Sequence, residues 1–126
     1  MNYREYLISE NARINEALVA LNKLAINAIL FVTDKEDRLI GSLTDGDVRR
    51  GLIKGLETND VVKLFIQKAP KYIKKGNFSI YEIIKFRERN FKILPVVDSN
   101  NKIINVLNLK ILKSYLPVDA VIMAGG

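Results

Sequence analysis

The chain has 126 residues, 48% hydrophobic and 27% charged, which excludes a disordered or fibrous chain and fits one compact domain or two small repeats sharing a core. It contains no cysteine and no histidine, so disulfide frameworks, thiolate zinc sites and histidine-based catalysis are excluded, and metalloenzyme or triad chemistry is not expected. The net charge of +6 fits either a solubilising surface or an anionic partner, but the lysines are dispersed and the one cluster, Lys68 to Lys75, holds a single aromatic, Tyr72, so no nucleic-acid surface is expected. No apolar run approaches the roughly 20 residues that span a bilayer. The first residues, Met1 to Tyr6, include Glu5 and lack the apolar stretch of a secretory signal. A cytoplasmic protein away from the membrane is expected.

In chain order, a first strand fits near Tyr6-Leu7-Ile8. Ile14, Ala17, Leu18 and Leu21 then fall at i, i+3, i+4 and i+7, which predicts an amphipathic helix. Phe31 to Asp34 and Leu39 to Leu43 read as two apolar strands joined by the polar turn Lys35 to Arg38, a β-hairpin. A helix from Asp45 to about Lys54 follows, and Gly55 to Asn59 reads as a joint. The pattern then restarts. A strand fits near Tyr72-Ile73, and Ile80, Ile83 and Ile84 mark a helix. Pro95 to Asp98 and Ile103 to Leu107 flank a second four-residue turn, and a last helix is predicted from Leu109 to about Tyr115. The two hairpins lie 64 positions apart with turns of equal length, and turn length sets strand register.

Each half is therefore β-α-β-β-α. The fold class is α+β, two such repeats packed with pseudo-twofold symmetry, because about 60 residues make a marginal core alone. The expected boundaries are 1–58 and 59–116, with 117–126 as the start of something further. Clefts between such copies are common places for a small ligand.

The segment Leu39-Ile40-Gly41-Ser42-Leu43-Thr44-Asp45-Gly46-Asp47-Val48-Arg49-Arg50 carries the most chemical information. Thr44 stands where a helix begins, with Asp47 three residues on. That spacing suits a helix N-cap with an acidic residue in the first turn. It equally suits a ligand site, since unpaired N–H groups and a hydroxyl at a helix start attract phosphate, and a carboxylate one turn in can accept hydrogen bonds from ribose hydroxyls. Gly46 leaves room for close approach, and Arg49 and Arg50 could meet a phosphate.

This motif inside this repeat resembles a cystathionine-β-synthase-type (CBS) domain pair, or Bateman module, from about Leu7 to about Leu116. In that family a Gly-h-h-Thr/Ser-x-x-Asp motif places its hydroxyl near phosphate and its aspartate on ribose. Here those positions are Gly41, Thr44 and Asp47, with Asp45 between them. The resemblance implies an adenine nucleotide (AMP, ADP or ATP) as regulatory ligand, with no catalytic residue and no metal in this stretch. It also implies a site completed by the opposite repeat, with Lys92 facing phosphate and Tyr72 and Ile93 beside adenine. Core packing for Tyr72 and Ile93, and a solvated position for Lys92, stand as alternatives. In the second copy Asn105, Asn108 and Ile111 replace the motif residues, so its site is expected to be degenerate. CBS pairs also associate as homodimers, so a ligand-free assembly module is the second reading.

The tail Val121-Ile122-Met123-Ala124-Gly125-Gly126 is similar to the first strand of sugar-1-phosphate nucleotidyltransferases, where it leads into a phosphate-binding loop. The resemblance therefore implies the regulatory front of such an enzyme rather than an enzyme in its own right. A frayed end of an independent domain is the other reading.

Overall fold

The structure is a computed structural model that describes residues 2–24, 28–76, 80–89 and 92–109. The chain forms two compact units that meet in sequence between Pro70 and Lys71. Each carries its own sheet, and the whole is a mixed α+β fold with three helices among the described residues.

In the first unit, β1 (Leu7–Ser9) runs parallel to β2 (Leu30–Thr33), with α1 (Ile14–Leu24) between them in the chain. A hairpin joins β2 to the antiparallel β3 (Leu39–Leu43), and α2 (Asp45–Ile53) follows directly. The two-residue β4 (Gln67–Lys68) closes the order β1-β2-β3-β4. The apolar face expected for α1 is the face that packs. Ile14, Ala17 and Leu21 are buried with Leu30, Val32, Leu43, Val48, Val62 and Phe65.

The residues read as a joint belong to the body of this unit. Gly55, at φ +105°, ends α2 in a left-handed conformation that favours glycine. Leu56 N–H donates to Gly51 O and Gly55 N–H to Leu52 O, the paired bonds of a Schellman stop. The chain then returns to the head of α1. Thr58 O and Asp60 O accept from Asn15 N–H and Ile14 N–H, both at 3.0 Å, which satisfies donors that a helix start leaves open. Val62 N–H donates to Ala12 O at 2.7 Å, and Val62 and Phe65 enter the core.

The second unit repeats the plan with β5 (Ile73–Lys74), α3 (Ile80–Glu88), β6 (Ile93–Val97) and β7 (Ile103–Asn108) in the order β5-β6-β7. Its hairpin copies the first residue for residue. Leu30 faces Leu43 as Leu94 faces Leu107, Val32 faces Gly41 as Val96 faces Asn105, and each ladder shifts register at its end. The turns match as well, despite different residues. Asp34 N–H donates to Arg38 O and its Oδ1 accepts from Glu36 and Arg38 N–H; Asp98 does the same with Lys102, Asn100 and Lys102. Asp37 (φ 65°) and Asn101 (φ 67°) take the left-handed position in each, where asparagine and aspartate are the tolerated side chains. The repeat is real at the level of single hydrogen bonds. The helix expected from Leu109 to Tyr115 lies, beyond its first residue, outside the described residues, as does the tail 117–126.

Candidate functional site

Three of the expected site residues come together at the head of α2. Thr44 follows β3 in an extended conformation, φ −121° and ψ 171°, and is the N-cap. Its Oγ1 accepts from Asp47 N–H at 3.3 Å, and Asp47 Oδ2 accepts in return from Thr44 N–H at 2.9 Å: a full capping box. The Thr44 hydroxyl also donates to Asp47 Oδ2 at 3.0 Å. Asp45, in the same first turn, is exposed, whereas Asp47 is only 8% exposed. A carboxylate so buried needs partners, and it has them.

The remaining oxygen of Asp47 is held by a residue with a different expected role. Arg50 Nη2 donates to Asp47 Oδ1 at 2.6 Å, an i,i+3 ion pair whose arginine side chain is 65% exposed. The guanidinium lies over Gly46, where an added Cβ would sit 3.2 Å from Nη1 and 3.4 Å from Nη2. The room expected above Gly46 is therefore taken by Arg50. The Asp47-to-Arg50 spacing is the signal that announces this pair, because side chains three apart share a helix face.

Gly41, the first residue of the motif, has a structural reason to be glycine. An added Cβ would stand 2.9 Å from Gln67 O and 2.9 Å from the Ile66 side chain, in the seam where β4 pairs with β3. At the same register in the second unit Asn105 is exposed, and its Oδ1 accepts from Val106 N–H at 2.8 Å. No strand pairs with that edge of β7 among the described residues, so nothing there demands a glycine. Ile111, the counterpart of Asp47, lies outside the described residues.

Tyr72, Lys92 and Ile93 all belong to the second unit, at the starts of β5 and β6. Tyr72 is 47% exposed. Lys92 is exposed and its carbonyl accepts from Leu109 N–H at 2.7 Å, while Ile93 is half-buried and paired with Asn108. In the parallel β5–β6 register Ile73 pairs with Val96, so Tyr72 is level with Pro95 and not with Lys92 and Ile93 at the start of β6. Among the described residues no group of three or more acidic side chains is placed to hold a metal ion. No helix there is long and apolar enough to cross a membrane.

Residues 1–54 match the family described as the CBS domain. Over that stretch the first repeat is similar to a CBS domain. In fold the chain is similar to solved CBS pairs. The CBS pair domain of a putative Mg2+ transporter from Shewanella oneidensis MR-1 matches with a TM-score of 0.72 at 14% identity, covering 90% of this chain and 64% of that one. CBSX2, solved in complex with AMP, matches with a TM-score of 0.67 at 20% identity, covering 90% and 88%. In sequence, a protein of Helicobacter pylori (strain J99) is 36% identical over 104 residues, 82% of this chain and 31% of its own length. The chain spans about a third of the length of the curated relatives it matches.

Proposed function

We propose that the chain is a cytoplasmic regulatory module that binds an adenine nucleotide (AMP, ADP or ATP) and modulates an attached sugar-phosphate nucleotidyltransferase. The observation that carries this reading is the pairing of Thr44 with the buried Asp47 at the head of α2, set within a CBS-like fold. In this reading the first turn of α2, with the Thr44 hydroxyl and the backbone N–H of Asp45, lies near phosphate, and Asp47 accepts from the ribose hydroxyls. For the second unit, the family resemblance implies Lys92 near phosphate and Tyr72 and Ile93 beside adenine. The nucleotide complex of CBSX2 supports the ligand class. The extra length of the relatives and the wording of the tail, Val121 to Gly126, support an attached domain. The sequence repeats run over 1–58 and 59–116, with 117–126 as the beginning of that domain, while the compact units divide after Pro70.

Titration calorimetry with AMP, ADP and ATP tests the reading. Saturable binding is expected, with affinity lowered at least about tenfold in Asp47→Ala, since a charge-assisted hydrogen bond to each hydroxyl is lost. Absence of binding below about 1 mM, or an unchanged affinity in the variant, overturns it.

One observation favours a second reading, a ligand-free homodimerising assembly module. Every oxygen of Asp47 already has a partner within its own helix turn, and Val19, Ile53 and Leu64 are exposed at 57%, 78% and 56%. Light scattering that finds a stable dimer, unchanged by nucleotide, from a chain that binds none selects this reading.

A further inference from the structure

We propose that Arg50 sets the ligand selectivity of the Asp47 site, disfavouring uncharged nucleosides and favouring phosphorylated ones. This rests on the reading of Asp47 as the ribose-binding carboxylate. Its two oxygens are unequal. Oδ2 is held by two donors of Thr44, at 2.9 and 3.0 Å, which also hold the cap of α2 together. Oδ1 has Arg50 Nη2 at 2.6 Å. A ligand hydroxyl that leaves the helix cap intact enters at Oδ1, in competition with the guanidinium.

The two partners of that ion pair also differ in freedom. Asp47 is 8% exposed and fixed from its own backbone side, whereas Arg50 is 65% exposed at the end of a long side chain. Arg50 is therefore the member that moves. Its guanidinium rests on the bare backbone of Gly46, so the ligand's approach over Gly46 displaces it from there too. A nucleoside replaces a cation by neutral hydroxyls and leaves the buried carboxylate with less compensation. A nucleotide does the same at Asp47 but brings an anion that the freed guanidinium can rejoin. The loss is recovered only when phosphate is present.

Calorimetry on the chain with adenosine and with AMP, for the parent, Arg50→Gln and Arg50→Lys, tests the proposal. Arg50→Gln is expected to bind adenosine about two- to fivefold more tightly and AMP more weakly by a similar factor. The adenosine-to-AMP ratio of Kd values then falls roughly tenfold, and Arg50→Lys retains most of the parent ratio. A general loss of packing would weaken both ligands together and leave the ratio in place. If the parent binds AMP and the ratio is unchanged in Arg50→Gln, the role of Arg50 is overturned while the nucleotide reading stands. If neither parent nor Arg50→Gln binds either ligand, the nucleotide reading fails and takes this one with it. Binding of adenosine by Arg50→Gln alone supports the proposal in its strongest form.

Discussion

Asp34 and Asp98 hold equivalent places in the two hairpin turns, and one neighbour distinguishes them. Arg38 Nε donates to Asp34 Oδ2 at 2.8 Å. The Arg38 backbone N–H, opposed next by burial and aided by the Glu36 N–H and the Arg38 guanidinium, holds the Asp34 carboxyl below its ordinary pKa. The same pair raises the pKa of Arg38. A carboxylate whose folded pKa is depressed stabilises the fold above its unfolded value, about 3.9, and loses that contribution as pH falls through the folded pKa. Asp34→Asn keeps an oxygen for the turn N–H groups but removes the charge. Its thermal midpoint is expected to lie below that of the parent at pH 7, with the gap constant down to about pH 5 and closing below about pH 4. Circular-dichroism melts from pH 7 to pH 3 check this, and a gap that widens on acidification contradicts it.

At the scale of elements, what was legible in the sequence depended on period and length. The hairpins could be read because short apolar runs flank polar turns of equal length, which sets the register, and Asp37 and Asn101 hold the same turn by the same means. The head of α2 could be read because Thr44 and Asp47 are a capping box in spacing as well as in structure. What escaped was whatever lacks a period. Gln67–Lys68 is a polar, exposed, two-residue strand with no apolar alternation to mark it. The return from Gly55 to Val62 is held by backbone bonds to α1, which composition does not encode. The engagement of Asp47 by Arg50 is a choice between two partners for one cation, water or carboxylate, and burial of Asp47 decides it.

Gly51 shows how such hidden contacts constrain an element. It sits in α2, where glycine costs about 1 kcal/mol relative to alanine, yet a Cβ there would run into the Phe65 ring. The open face of α2 exists to receive the return segment. Gly51→Val is therefore expected to lower stability by several kcal/mol, because Phe65 must leave a packed position, whereas a gain would follow if helix propensity governed the site. Gly46→Ala meets only the movable end of Arg50, and its cost is expected to stay below about 1 kcal/mol. Urea denaturation of both variants, read by circular dichroism, separates the two outcomes.

For the molecule as a whole, the division of the chain matters more than the repeat alone suggests. A cut after residue 58 follows the sequence repeat, but it removes Val62, which is fully buried, and Phe65, 6% exposed, from the core around α1. It also strips the acceptor Asp60 O from Ile14 N–H and removes β4 from the edge of β3. Loss of two such side chains costs on the order of 5 kcal/mol, comparable with the whole stability of a small domain. A fragment of residues 1–70 keeps every one of these contacts, since its nine-residue core cluster draws only on residues 14–65. The 1–70 fragment is expected to show a cooperative thermal transition and dispersed amide resonances, and 1–58 to show neither. A folded 1–58 would mean that the return segment decorates the first unit rather than completing it. In that case the capping box at Thr44 and Asp47 would need no support from beyond Gly55. If only 1–70 folds, the site at the head of α2 depends on residues that lie past the end of its own repeat, through Gly51 and Phe65, and any ligand held by Asp47 stabilises that return segment along with it.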